Sequence, residues 1–246
     1  MMGKSYLVGV SALALLGITA GAFASPNLVQ NGGFESTTLD TSQFNFFGPT
    51  GVDDWAGYGY GFFSSPQTLY AYWSPESSPA SANGFTLSPN GGNFIGEDGD
   101  PTYYVGPVEQ MITGLTAGKK YDLGFYWAAA QEAGYGVPGM GIEDQWSASL
   151  GSETQTTAYA QAPYAGFSGW MHQDFIFTAT GPDELLSFLA NGGPPNEPPF
   201  ALLDGVTLNA IPEPAEWVMM LIGFGALGVV ARLRRRVAKA PSATSA

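Results

Sequence analysis

The chain contains no cysteine. This absence excludes a disulfide framework, a thiolate zinc site and a cysteine nucleophile. It leaves the compartment open, because exported bacterial proteins also do without disulfides. The 246 residues are enough for one domain with a proper hydrophobic core.

Positive charge is also scarce, with eight lysines and arginines against 21 acidic residues. Six of the eight lie near the two ends of the chain, so only Lys119 and Lys120 remain between Ser25 and Ala210, against nineteen acids. A surface this acidic repels phosphate backbones, which excludes nucleic acid as a partner. It suits a soluble exported domain or a domain that binds cations.

The first 24 residues have the pattern of a secretory signal peptide. Lys4 supplies the positive start, Leu7–Gly21 the apolar stretch, and Ala22 and Ala24 the small residues of a cleavage site before Ser25. The alternative is an N-terminal membrane anchor. The apolar run is short for an anchor, and it ends in the cleavage pattern.

An uncharged run, Trp217–Ala231, precedes an arginine cluster near the other end of the chain. Fifteen helical residues reach roughly 22 Å, short of the ~30 Å hydrocarbon core. Trp217 at one interface and snorkelling arginine stems at the other make a single transmembrane helix feasible. The arginines then stay cytoplasmic and the acidic domain outside. A buried core helix is the alternative, but such helices do not end in four arginines: Arg232, Arg234, Arg235 and Arg236.

The residues around this run resemble the PEP-CTERM sorting signal, in the variant with Trp after the motif. The resemblance covers residues 211–236 and is carried by Pro212, Glu213, Pro214, Trp217 and the arginine cluster. It implies that an exosortase processes the tail, and that an inner-membrane precursor becomes a cell-surface or extracellular protein. Residues 237–246 form a cytoplasmic extension beyond the arginines, where such tails often stop.

Residues 25–210 have the pattern of short strands and turns, with abundant glycine and proline and no long helical periodicity. In YDLGFYWAAA, Tyr121, Leu123, Phe125 and Trp127 alternate on one face. Three later segments alternate in the same way: Phe175 and Phe177; Leu186, Phe188 and Ala190; Phe200, Leu202, Asp204, Val206 and Leu208. The pattern predicts an all-β, antiparallel sandwich.

Three segments in order resemble carbohydrate-binding-module-like jelly rolls of the galactose-binding type. They are NLVQNGGFES, QMITGLTAGKKYDLGFYWAA and FTATGPDELLSFLANGG with the later LLDGVTL. The resemblance implies a jelly-roll β-sandwich over the exported domain. Fold transfers across such a superfamily much better than ligand does.

Asp204 is the most informative carboxylate, because strict alternation places it in phase with four apolar side chains. A buried carboxylate needs hydrogen-bond donors or a cation. The jelly-roll resemblance implies a structural calcium held by Glu35 and Asp204, which suits hard oxygen ligands. Two alternatives are a bulge at Asp204-Gly205 that turns the carboxylate outward, and satisfaction of the carboxylate by backbone N–H groups.

The segment GEDGDP collects Glu97, Asp98 and Asp100 in a glycine-rich stretch. It lacks the twelfth-position Glu and the flanking helices of an EF-hand. We therefore expect a solvated acidic turn rather than a calcium loop.

Aromatic side chains on loops are candidate sugar platforms, although packing in the core or loops is their commoner role. Trp127, in phase with Phe125, is predicted to belong to the core. The candidates are Trp55, Tyr58, Tyr60, Tyr70, Tyr72, Trp73, Tyr103, Tyr104, Tyr135 and Trp146.

Catalysis has little support in the sequence. The single histidine, His172, has Ser168 and Asp174 nearby, but no nucleophile-elbow motif is present and we expect a plain strand residue. We predict a non-enzymatic, exosortase-sorted protein of the cell surface or of an exopolysaccharide matrix. A lectin-like glycan-binding module is the alternative, and a polysaccharide hydrolase with paired carboxylates is a third.

Overall fold

The computed structural model describes residues 25–39, 45–47, 51–59, 61–64, 84–102, 105–131, 136–212 and 222–232. The predicted signal peptide and most of the sorting motif lie outside these ranges, so both stay predictions. The predicted functional residues concerned are Ala22, Ala24, Glu213, Pro214, Trp217, Arg234, Arg235 and Arg236.

Strands make up the regular structure of the described residues between Ser25 and Ala210. Their bounds are β1 (Asn45–Phe47), β2 (Ala56–Gly59), β3 (Gly61–Ser64), β4 (Phe94–Asp98), β5 (Val105–Thr113), β6 (Lys120–Gln131), β7 (Ile142–Leu150), β8 (Glu153–Thr156), β9 (Ala160–Ala162), β10 (Met171–Thr178), β11 (Asp183–Gly193) and β12 (Pro199–Ala210).

The strands form two six-stranded sheets. The first sheet has the order β1-β3-β4-β12-β6-β10, and the second has β2-β5-β11-β7-β8, with β9 also paired to β7. Every described pairing is antiparallel. Strands β4 to β7 and β10 to β12 alternate between the two sheets, as strands of a jelly roll do. The predicted all-β, antiparallel sandwich is confirmed.

The hydrophobic core lies between the sheets and follows the predicted alternation. Tyr121, Leu123, Phe125 and Trp127 of β6 are all buried in it. From β10 and β11 come Phe175, Phe177, Leu186, Phe188 and Ala190. The large rings pack edge to face, as Phe125 and Phe188 do with their centroids 5.2 Å apart.

Strand β12 departs from strict alternation, so the prediction of one phase for its five residues is wrong. Its pairing with β6 shifts register between Asp204 and Thr207, and Gly205 has φ +61°. A positive φ at glycine next to one extra residue is the geometry of a β-bulge. Val206 and Leu208 therefore face the core, whereas Phe200 and Leu202 pack on the outer side of the first sheet.

The two ends of the domain lie side by side. The backbone N–H of Ala210 donates to Ser25 Oγ at 3.2 Å, and that of Leu28 donates to the Leu208 carbonyl at 2.9 Å. A helix over residues 222–232 covers part of the predicted span. Among the described residues, no helix has the length and apolar character needed to cross a membrane.

Candidate functional site

Asp204 lies at the β12 bulge, on the outer side of the first sheet, and is fully buried there. The predicted bulge at Asp204-Gly205 is present, but the carboxylate does not reach solvent because residues 88–93 cover it. Asp204 Oδ1 accepts the N–H of Gly205 at 2.6 Å and the side-chain amide of Asn90 at 3.2 Å. Its second oxygen, Oδ2, has no hydrogen-bond partner among the described residues.

Glu35 lies beside this carboxylate, as the calcium hypothesis requires. A Cβ built on Gly33 would lie 3.8 Å from Asp204 Oδ1 and 3.9 Å from Glu35 Cγ, so the two acidic side chains flank this glycine. Glu35 Oε1 accepts the N–H of Asn93 at 2.8 Å. The segment that covers Asp204 thus also positions Glu35.

The electrostatics of this pair favour a neutralising partner. Burial and, to a smaller extent, the Glu35 charge raise the pKa of Asp204 to about 7, although hydrogen-bond donors that include Gly205 and Asn90 act in the opposite direction. A carboxylate with such a pKa is destabilised in its ionised form. A cation bound at Oδ2 would remove that penalty.

The donor set fits calcium, which takes six to eight oxygen ligands from carboxylates, carbonyls and water. Glu35 and Asp204 offer two carboxylates, and the orphaned Oδ2 is a free ligand atom. Within the described part of the chain, no three acidic, histidine or cysteine side chains converge on one point. The remaining ligands would therefore be backbone carbonyls, neutral side chains and water.

A second polar cluster occupies the outer side of the same sheet, around Gly124 of β6. Gly124 pairs with Asp174 of β10 on one side and with Thr207 of β12 on the other. A Cβ at Gly124 would meet Asp174 Oδ1 and Thr207 Oγ1 at 3.2 Å and His172 Nε2 at 3.6 Å. Because glycine has no side chain, these three polar groups converge over its backbone. We call this surface the Gly124 face; it comprises Asp122, Gly124, Tyr126, His172, Asp174 and Thr207.

The Gly124 face combines an aromatic ring with open polar groups. The rings of Tyr126 and His172 meet edge to face, with centroids 4.9 Å apart. His172 Nδ1 lies 3.3 Å from Asp174 Oδ2, and their side chains are 46% and 59% exposed. Asp122 Oδ1 is buried and has no hydrogen-bond partner in the described part of the chain. Burial raises the pKa of this carboxyl, as does the neighbouring Asp174 charge.

The two clusters touch each other at Tyr126. Tyr126 pairs with Asp204 across the sheet. A Cβ built on Gly205 would lie 3.0 Å from Tyr126 Cδ2 and 3.2 Å from Asn90 Cβ. The bulge that presents Asp204 thus also supports the ring of Tyr126.

The described loop aromatics belong to the core rather than to a sugar platform. Trp55 is 3% exposed, packs on Phe34 at 5.3 Å and donates its Nε1–H to the Asn31 carbonyl at 3.0 Å. Trp146 is fully buried and donates to the Leu202 carbonyl. The side chains of the other candidates lie outside the described residues: Tyr58, Tyr60, Tyr70, Tyr72, Trp73, Tyr103, Tyr104 and Tyr135.

His172 is not part of a serine triad. Ser168 Oγ accepts the N–H of Ala129 at 2.9 Å and donates to the Gly169 carbonyl at 3.0 Å. His172 lies on β10, as expected of a strand residue. What the sequence reasoning missed is its place in the Gly124 face. The alternation of β6 predicts that Asp122, Gly124 and Tyr126 share a side, but the strands that flank them could not be predicted from spacing.

The prediction of a solvated acidic turn at residues 96–101 is wrong. Glu97 and Asp98 belong to β4 and are 1% and 6% exposed, and Asp100 is fully buried. Asp100 accepts the N–H of Thr102 at 2.7 Å and that of Asn196. The segment is covered by the loop before β12, which lies almost one hundred residues away in sequence.

Comparison with known proteins yields distant similarities, and no family model matches the chain. Halomucin of Haloquadratum walsbyi (strain DSM 16790 / HBSQ001) is 29% identical over 185 residues, which is 74% of this chain and 2% of halomucin. The chain therefore spans a small fraction of the curated relative that it matches.

Two solved structures match about three quarters of this chain at low identity. The CBM22-1 xylan-binding domain of Paenibacillus barcinonensis Xyn10C matches with a TM-score of 0.42 and 11% identity, over 78% of this chain and 99% of that domain. The enzymatically active domain of bacteriophage CBA120 tailspike protein 4 matches with a TM-score of 0.37 and 10% identity, over 75% of this chain and 21% of that one. Such similarities assign no function to this chain.

Proposed function

We propose that the folded domain is a non-catalytic glycan-binding module of an exported protein of the cell surface or the exopolysaccharide matrix. The observation that carries this is the convergence of Asp174, Thr207 and His172 over Gly124, beside the ring of Tyr126. Sugar sites combine an apolar platform with a few placed polar groups. Carboxylates and imidazole nitrogens bond well to hydroxyl groups.

The charge of the face defines the class of glycan. Asp122 and Asp174 both lie on it, and the domain carries only two lysines against nineteen acids. Such a surface repels uronic acids and sulfated sugars. We therefore propose that the ligand is a neutral polysaccharide. One of its sugar rings packs on Tyr126, and the hydroxyls of that ring form hydrogen bonds with Asp174 and His172.

Calcium at Glu35 and Asp204 is the proposed structural support of this face. The Asp204-Gly205 bulge touches both Asn90 and Tyr126, so ordering of the bulge also orders the ring. Calcium-bound protein then binds the glycan more tightly than calcium-free protein, because the platform is arranged before the ligand arrives.

For export, we propose the route that the sequence predicts: a signal peptide removed before Ser25, and a PEP-CTERM tail handed to an exosortase in the inner membrane. The adjacency of Ser25 and Ala210 supports this route. It places the start of the folded domain beside the residue from which the tail continues.

A calorimetric titration with a panel of neutral and anionic polysaccharides tests glycan binding. We expect saturable binding to at least one neutral polysaccharide, and a loss of tenfold or more in affinity on Tyr126→Ala. Tyr159→Ala is the matched control, since Tyr159 is 52% exposed on the loop between β8 and β9. Equal loss in both variants, or binding only to anionic polysaccharides, contradicts this function. Release of reducing ends from any polysaccharide would establish a hydrolase instead.

A further inference from the structure

A second pair of acidic side chains lies inside the sandwich, away from both clusters described above. Glu97 of β4 and Asp144 of β7 come from opposite sheets and point into the interior. Glu97 is 1% exposed and Asp144 is fully buried. Burial raises the pKa of the Glu97 carboxyl, and the Asp144 charge contributes a smaller increase.

Each of these carboxylates keeps one oxygen unpaired. Asp144 Oδ1 accepts the N–H of Gln145 at 3.0 Å, and Glu97 accepts a backbone hydrogen bond from Ala190. Glu97 Oε2 and Asp144 Oδ2 are buried without a partner among the described residues. An ionised carboxylate is strongly destabilised in such surroundings, so a proton or a cation must neutralise each of them.

No lysine of the sandwich can be that partner. The domain holds two lysines, Lys119 and Lys120, and Lys120 begins β6. Glu97 pairs with Ala201, which pairs with Ala129 of β6. Ala129 lies nine positions along β6 from Lys120, which is roughly 30 Å at ~3.3 Å per residue.

The backbone around Asp144 is shaped to admit its carboxylate. A Cβ on Gly99 would lie 2.6 Å from Asp144 Oδ1, and a Cβ on Gly192 would lie 2.8 Å from it. Gly192 donates to the Gly99 carbonyl at 2.7 Å, and Gly99 donates to the Pro199 carbonyl at 2.7 Å. These bonds tie the two sheets together beside the acidic pair, so the carboxylate is held in a fixed frame.

We propose that Glu97 and Asp144 form an internal cation site that binds one Ca²⁺ between the two sheets. Both side chains offer hard oxygen atoms, and no cysteine is present to favour softer metals. A divalent ion neutralises two carboxylates at once. Asp98 adds negative charge nearby, since its charge acts on Asp144, and backbone carbonyls and water complete the coordination. The site is independent of glycan binding and of the Glu35–Asp204 site.

Counting bound calcium tests this inference. Protein is stripped with chelator, reloaded with CaCl2, dialysed against metal-free buffer and measured by inductively coupled plasma mass spectrometry. We expect one calcium ion to remain in Asp204→Asn, where the outer site is lost, and none in Asp204→Asn/Asp144→Asn. If Asp204→Asn retains no calcium, the proposal is overturned, and this result does not depend on whether an Asp144 variant folds.

Terbium luminescence locates the ion. Trp146 lies two residues from Asp144 on the same side of β7, about 7 Å along the strand, close enough to sensitise bound Tb³⁺. In the Asp204→Asn background we expect terbium emission on tryptophan excitation, displaced by calcium and abolished by Asp144→Asn or, if that variant does not fold, by Glu97→Gln. Emission that is unchanged in the folded variant means that the ion binds elsewhere. Absent emission in every protein means that the acids share a proton instead.

Discussion

The side chain of Asn90 donates to Asp204 Oδ1 at 3.2 Å, although 114 residues separate them in the chain. This bond fastens the segment of residues 88–93 over the β12 bulge and buries the carboxylate. It also places the rest of that segment against Glu35. One polar contact on the outer side of the first sheet thereby assembles the proposed calcium site.

Calcium should stabilise the protein through this site, and Asp204→Asn should reduce the effect to the part that the internal Glu97–Asp144 site contributes. Binding to the native state alone at a hundredfold excess over Kd contributes about 2.7 kcal/mol, roughly 5 to 10 °C in Tm for a domain of this size. Differential scanning calorimetry with calcium and with chelator measures this rise. Asp183→Asn, an exposed aspartate at the start of β11, is the control and should keep it. Equal Tm values in calcium and chelator for the wild type would remove both calcium sites.

Two neighbouring glycines provide a matched test of Glu35. Gly91 and Gly92 have φ +75° and +74°, so alanine at either position costs about 1 kcal/mol in backbone strain. A Cβ at Gly92 would overlap Glu35 Oε1 at 1.6 Å, whereas a Cβ at Gly91 meets nothing within 4 Å. We expect both variants to lose some stability, but only Gly92→Ala to bind calcium at least tenfold more weakly by calorimetric titration. A parallel loss in Gly91→Ala would mean that strain alone is responsible.

The stability of calcium-free protein should fall as pH rises toward 7. Burial raises the pKa of Asp204 to about 7 in the folded state from 3.8, so the native state holds a proton that the unfolded state has released. This contribution is complete below about pH 4 and is lost as pH rises through about 7. Chemical denaturation in chelator between pH 5 and pH 8 measures it. Asp204→Asn should flatten the part of the slope that belongs to this carboxyl, and an unchanged slope would contradict the assignment.

Alanine at Gly124 should weaken glycan binding without unfolding the domain. Its Cβ would lie 3.2 Å from Asp174 Oδ1 and Thr207 Oγ1, which displaces both groups by a few tenths of an ångström. The strand itself tolerates alanine, so we expect a Tm within about 3 °C of the wild type and at least a fivefold loss of affinity. Gly181→Ala, where the nearest atom is 3.9 Å away, should bind as the wild type does. Undiminished binding by Gly124→Ala would place the glycan elsewhere.

Mature protein from its native host should lack both the residues before Ser25 and the tail beyond the sorting motif, as measured by intact mass. Replacing Arg232, Arg234, Arg235 and Arg236 with glutamine removes the positive-inside signal but leaves the motif and the span unchanged. Unprocessed or mislocalised precursor should then accumulate. The same four positions changed to lysine keep the charge and should mature normally. Wild-type processing of the glutamine variant would show that the arginines are not the retention signal.

The sequence predicted regular strands well and bulged strands poorly. In β6 the alternation from Tyr121 to Trp127 holds, because the strand is regular and its inner side faces the core. In β12 the Asp204-Gly205 bulge reverses the phase, so Phe200 and Leu208 face opposite sides of the sheet. A glycine after an acidic residue permits such a bulge, but the pattern of apolar residues does not reveal it.

The burial of polar residues depended on distant partners that spacing does not show. Glu97 and Asp98 have the local composition of an exposed turn, yet the loop before β12 and strand β7 cover them. Asp174 and Thr207 meet at Gly124 only because β10 and β12 flank β6. Predicting the candidate site therefore requires knowledge of which strands pair, whereas predicting the fold class requires only that strands are present.

Ser25 and Ala210 meet where β12 ends, which gives the domain a single point of attachment. A unit whose two ends coincide can be set into a loop of another protein, or repeated along a long chain, without disturbing the host fold. Because the two ends are adjacent, the folded domain adds almost nothing to the end-to-end length of a polypeptide that contains it. The module would then rotate about this single attachment and could present the outer side of its first sheet to different surfaces.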